Sequence, residues 1–174
     1  MSIPKKIDGH GTHKNASTGT PDANFERQKK FVMYYASEAL TRGDAVALNF
    51  AATEPANGYG NHVLLADTDT ADALNQHAMG VVVQDASSGA LVEVQVEGYC
   101  DFAKINASAY DGSNGNDGLM LAASATGGQL GLKDVDEAQG DGSGIATGVA
   151  ILVKEGTAAA AADSKVWLIN PLNQ

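Results

Sequence analysis

Val92, Val94 and Val96 alternate with Glu93, Gln95 and Glu97, and the run stops at Gly98. No other segment of the chain has so clear a period of two. It sets one face on a core and the other in water, as in an antiparallel sheet. Shorter segments repeat the theme. Phe31–Tyr35 is aromatic and β-branched and opens the ordered body. After a turn at Arg42, Gly43 and Asp44, Val46, Leu48 and Phe50 alternate with small or polar residues as a half-buried strand. His62–Ala66, Met79–Gln84, Leu119–Leu121, Gln129–Leu132, Ile145–Lys154 and Lys165–Asn170 complete nine or ten short strands, and Tyr99–Ile105 continues or bends the Val92 strand. Helical character is confined to residues 70–77, capped by Asp69 or Thr70. The alanine run 158–162 is too short a nucleus for a helix and is read as a loop or single turn. The fold class is therefore all-β: a small antiparallel barrel or sandwich with Gly-rich loops and an extended N-terminal arm.

Leu, Val, Ile and Phe make up only about 21% of the 174 residues, close to the ~20% below which chains fail to build a core. Much of the 44% hydrophobic content is alanine. A lean core of this kind is readily supplemented by oligomerisation. No apolar run of ~18 residues occurs, so neither a membrane span nor, at the basic N-terminus, a signal peptide is expected.

Charge divides the chain at residue 30. Residues 1–30 carry +3, from Lys5, Lys6, Lys14, Arg27, Lys29 and Lys30 against three acids, and the remainder carries −13. An acidic body repels phosphate, so no nucleic-acid partner is expected. Through Asn24 the basic segment holds few large apolar residues, and it is read as an arm lying on an acidic neighbour, either a sister subunit or a larger surface. Phe25 and Phe31 are its candidate anchors, because buried aromatics dominate interface energetics. The arm thus spans 1–30 and the β-domain 31–174. Within the domain a turn–strand–excursion–strand–turn–strand pattern recurs at about 42–103 and 117–170, with Ala78-Met79-Gly80-Val81 echoed by Ala146-Thr147-Gly148-Val149.

The runs Arg42–Leu48, Ala78–Gly98 and Gly148–Val153 resemble the small β-barrel decoration, or cement, proteins of tailed bacteriophages. There a Gly-Asp-x-Val strand precedes a Gly-Val-Val hairpin, and a Gly-Val-Ala strand follows later. The matching region is roughly 42–170. The resemblance implies a homotrimer on the outer capsid surface of the virion that bridges adjacent major capsid protein hexamers, with terminal segments tying subunits to their neighbours. The longer loops 57–77 and 112–144 depart from a minimal barrel.

Motifs for chemistry are sparse. His10 and His13 lack a third ligand, and lone Cys100, flanked by Tyr99 and near Phe102, reads as a buried inert thiol. Ser87-Ser88-Gly89 lacks a nucleophile-elbow frame. The glycines of 140–148 are spaced wrongly for a dinucleotide fingerprint. Asp67, Asp69 and Asp72, like Asp134, Asp136, Glu137 and Asp141, do not follow an EF-hand loop. No catalytic residue, metal or cofactor is expected. A different reading of the same β-domain is a β-sandwich recognition module on a virion that binds a glycan or a host surface, with Tyr59 as the one loop aromatic able to stack on a sugar.

Overall fold

A computed structural model describes residues 29–50, 60–68, 77–133 and 148–169. They form nine strands: β1 (Lys30–Ala36), β2 (Ala45–Leu48), β3 (His62–Leu65), β4 (Gly80–Val82), β5 (Leu91–Ala103), β6 (Met120–Ala123), β7 (Leu130–Leu132), β8 (Ala150–Lys154) and β9 (Ser164–Leu168). The fold is all-β, and no helix occurs among the described residues. Residues 70–76 of the expected helix lie outside them, and His77 is not helical.

The pairing order is β1-β3-β2-β4-β5-β9-β8-β6-β7, and β1 also pairs with β5. That extra pairing closes β1, β3, β2, β4 and the first half of β5 into a five-membered ring. A closed ring of five strands cannot alternate direction all the way round, because five is odd. The antiparallel expectation therefore fails at one seam: Tyr35 and Ala36 of β1 run parallel to His62 and Val63 of β3. A second ring is built from the second half of β5 with β9, β8, β6 and β7. It is closed by another parallel seam, the bridge between Ile105 and Leu130.

The two rings share hydrogen bonds at equivalent positions. Gly43 N–H donates to Val82 C=O at 2.9 Å, and Gly118 N–H donates to Leu152 C=O at 2.7 Å. Met79 donates to Val46 at 2.7 Å as Val149 does to Leu121 at 2.8 Å, and Ser37 donates to Val63 at 2.8 Å as Asn106 does to Leu130 at 2.8 Å. The equivalence includes β1, which precedes residues 42–103, and β3, which falls in the excursion of the three-strand pattern. It also sets Ala150, not Gly148, opposite the role of Gly80, since Val46 pairs with Gly80 and Leu121 with Ala150. The two-residue offset leaves every side chain on its original face, which is why the sequence pattern hides it.

Each ring has its own interior. Val46, Val63, Val82, Val92, Val94 and Val96 fill the first with Ala36 and Leu40. Cys100, Phe102, Ile105, Leu121, Leu130, Leu152, Val166 and Leu168 fill the second. Ala45, Ala47, Ala66, Ala78 and Val81, from the outside of the first ring, belong to the second cluster. Strand β2 is therefore buried on both faces, not half-buried as its alternation predicts. Its alanines are the reason: without bulk, they let the second ring approach. The same packing corrects the reading of β5. Gln95 stands on the row expected to face water, yet it is buried, and its amide nitrogen donates to the carbonyls of Glu97 (3.3 Å) and Tyr99 (2.9 Å).

Candidate interaction surfaces

The Gly-Asp turn at residues 41–44 sits where the rings join. Asp44 Oδ2 accepts the Thr41 N–H at 2.7 Å and the Thr41 hydroxyl at 2.9 Å, closing the turn. Its Oδ1 meets Lys104 Nζ, from the second ring, at 2.7 Å, and Lys104 also donates to Thr41 Oγ1 at 2.6 Å. Arg42 lies 4.8 Å over the Phe102 ring, while its backbone N–H donates to Asp85 at 2.7 Å. Gly43 has φ +90°, and a Cβ there would meet Phe102 C=O at 2.4 Å and Ala162 at 2.8 Å. Only glycine fits. The turn at Gly128 completes the joint, accepting from Ala45 N–H at 2.8 Å and donating to Ala66 C=O at 3.0 Å. The Gly-Asp motif thus has a structural role: it locks one ring to the next.

Cys100 is buried in the second ring's core, and burial pushes its thiol up to about 12. That suppresses the thiolate and with it nucleophilic reactivity. The exposed Asp111 carboxylate is held below its ordinary range by hydrogen bonds from Ser113. Buried Glu155 accepts the N–H groups of Asp111 (3.2 Å) and Gly112 (2.9 Å), so this acidic loop is folded around its own backbone. Among the described residues no three His, Cys, Asp or Glu side chains gather as a metal site. Asp67, His62 and His77 are described. His10, His13, Asp69, Asp72 and the acids at 134–141 lie outside the described residues, as does Tyr59.

Of the predicted contact residues, Lys5, Lys6, Lys14, Phe25 and Arg27 also lie outside them. Lys29 precedes β1, and Lys30 starts it opposite Glu97. Phe31 is 43% exposed on the outer side of the first ring. Val32 and Tyr34 turn inward against the first core, so Phe31, Met33 and Tyr35 turn outward. Leu91 lies opposite Tyr35, and Phe31, Met33 and Leu91 make an apolar outer patch on the first ring.

A second patch lies on the other ring. Met120 stands opposite Ile151, and Val153 follows at the irregularity of β8 between Leu152 and Lys154. Met120 is 41% and Val153 43% exposed. Trp167, opposite Ile151 on β9, is half-buried on this outer face, while its neighbours Val166 and Leu168 enter the core. Of these patch residues the sequence reading names Phe31, alongside Phe25 outside the described residues. The rest is written in strand alternation, which marks two faces without telling which is covered. No protein-family model and no curated protein matches the chain.

Proposed function

We propose that the protein is a structural component of a virion: a homotrimeric decoration protein that sits on the outer capsid surface and stabilises the shell by bridging neighbouring major capsid protein capsomers. The observation that carries this reading is the division of charge and form. Residues 1–30 carry +3 against −13 for the remainder; Lys29 and Lys30 sit at the head of β1, beside the exposed Phe31 and Met33, and residues 1–28 ahead of them carry +1. An extended segment of that length reaches on the order of 90 Å, far enough to cross onto a neighbouring subunit. The β-body supplies the rigid part. Two rings clamped by the Asp44–Lys104 pair transmit load without a flexible linker between them. The resemblance of the Gly-Asp-x-Val and Gly-Val-Val segments to phage cement proteins supports the same reading. Three symmetric copies engaging at once raise weak contacts to strong avidity, ~10²–10⁴-fold.

The test removes residues 1–28 and measures two things on empty shells: cosedimentation and the temperature at which they burst. The truncated protein is expected to keep its β-fold, bind more weakly, and leave shells that burst at lower temperature. Equal binding and protection by the truncated protein would remove the arm from the mechanism. Failure of the full-length protein to cosediment would remove the shell.

A further inference from the structure

The turn between β5 and β6 contains three glycines that follow Asp or Asn, in Asp111-Gly112, Asn114-Gly115 and Asp117-Gly118. We infer that Asn114-Gly115 is a site of self-modification, where the Gly115 backbone nitrogen displaces the Asn114 carboxamide nitrogen to leave aspartate or isoaspartate. In each pair the glycine nitrogen lies within reach of the preceding side-chain carbonyl carbon, and no side chain of its own shields it. The structure separates the three. Gly112 N–H is tied to buried Glu155 at 2.9 Å, and Gly118 N–H to the Leu152 carbonyl at 2.7 Å. Among the described residues Gly115 N–H meets one acceptor, Asp111 Oδ1, at 3.3 Å. That oxygen already accepts the Ser113 N–H at 2.6 Å and the Ser113 hydroxyl at 2.9 Å. Gly115 is therefore the most loosely held nucleophile of the three, and it faces a carboxamide, a better electrophile than a carboxylate.

Of the five described asparagines, Asn114 is the one followed by glycine. It is exposed, and its carboxamide has no hydrogen-bond partner among the described residues. Asn116, by contrast, donates to the carbonyls of Ser108 and Ala109, and Asn106 Oδ1 accepts from Ser108 and Ala109. The fold itself requires the reactive pair. Asn114 has φ +59°, a left-handed backbone that asparagine takes more readily than most residues. A Cβ at position 115 would run into the Asp111 carboxylate, so glycine must follow. In the reaction, Gly115 N bonds to Asn114 Cγ and gives its proton to solvent. The Cγ–Nδ2 bond breaks, and Nδ2 takes up a proton and leaves as ammonia. The cyclic imide then adds one water at either carbonyl, giving aspartate or isoaspartate. Both products add a negative charge to an exposed turn that already holds Asp111 and Asp117. Isoaspartate also lengthens the backbone by one carbon, which releases the Ser113 and Gly115 bonds to Asp111 while β5 and β6 stay paired. None of this depends on the capsid reading.

Full-length protein is aged in mildly alkaline buffer and cut with trypsin. Cleavage after Lys104 and Lys133 releases one peptide that holds Asn106, Asn114 and Asn116, and fragment masses assign each. Asn114 is expected to gain one mass unit at least tenfold faster than Asn106 or Asn116, and the aged peptide to accept methyl groups from an isoaspartate methyltransferase. Equal rates at the three asparagines would overturn the inference. So would an intact Asn114 in folded protein aged beside a urea-denatured control that reacts. Asn114→Gln gives a second measure, because its longer side chain would have to close a larger ring. Methyl acceptance by the 105–133 peptide is expected to disappear in this variant, and its persistence would overturn the assignment to Asn114.

Discussion

Ala160 holds a backbone conformation that alanine rarely adopts, with φ +64°. The equivalent turn of the first ring shows what belongs there. Gly89, at φ +82°, donates its N–H to Ala36 C=O at 2.7 Å, and Ala160 donates to Ile105 C=O at 2.7 Å. One ring uses glycine at this corner, and the other makes alanine take the left-handed form. The distortion is held by the surrounding loop, in which Thr157 Oγ1 donates to Asp163 at 2.7 Å and Tyr110 donates to the Thr157 carbonyl at 3.1 Å. The left-handed form costs a non-glycine residue ~1–2 kcal/mol, of which glycine's greater unfolded freedom returns part. Ala160→Gly is therefore expected to stabilise the protein by about 1 kcal/mol in chemical denaturation. Gly89→Ala should destabilise by a similar ~1 kcal/mol for backbone reasons alone, because nothing lies within 4 Å of the position its Cβ would take.

Cys100 provides a prediction of pH dependence at the same scale. Its folded pKa of about 12 stands above the ordinary 9.0, so the folded state favours the neutral thiol. The stability this gives is fully present below the unfolded pKa and is lost as pH rises through the folded one. Unfolding free energy is thus expected to decline between pH 9 and about 12, by up to ~1.4 kcal/mol per unit, and Cys100→Ala to flatten that decline. A titration of denaturant midpoints with both proteins measures it. Disulfide-exchange reagents should label Cys100 only after denaturation.

Among the elements, β5 and the turn at residues 41–44 carry most of the architecture. Strand β5 serves both rings: its first half pairs with β1 and β4, and its second half with β9. Gly98, where φ is +89°, marks the passage between them. The turn then fixes the angle between rings through Asp44 and Lys104, whose side chains are only 11% and 19% exposed. Removing one member of a largely buried pair leaves the other without its counter-charge, and here Asp44 also holds the Thr41 N–H and hydroxyl. Asp44→Ala is expected to cost about 2 kcal/mol. Because β5 belongs to both rings, the calorimetric transition should move to lower temperature and remain single; two resolved transitions would mean that the rings are independent units.

For the whole molecule, the sequence shows a chain short of large apolar residues, and the structure shows how a fold is built from them. Two small cores are placed back to back, and the alanines on the outside of the first become part of the second. Among the described residues, exposed large apolar side chains include Phe31, Met33 and Leu91 on the first ring and Met120 and Val153 on the second.

The all-β class, the approximate positions of the nine described strands and the turn at Gly43 were legible in the sequence, because period-two alternation and turn glycines are local signals; whether the Val92 strand continues or bends past Gly98 was left open there. The register of the two Gly-Val strands was not legible: a two-residue slip preserves every face and leaves no trace in a hydropathy pattern. Ring closure, the parallel seams, the burial of Gln95 and the doubly buried β2 were decided only in three dimensions. Each depends on what stands opposite a strand face, and alternation says that a face is apolar or polar without saying what will cover it. For the same reason Phe31 could be named from sequence, while Met33, Leu91, Met120 and Val153 became surfaces only once the rings had closed.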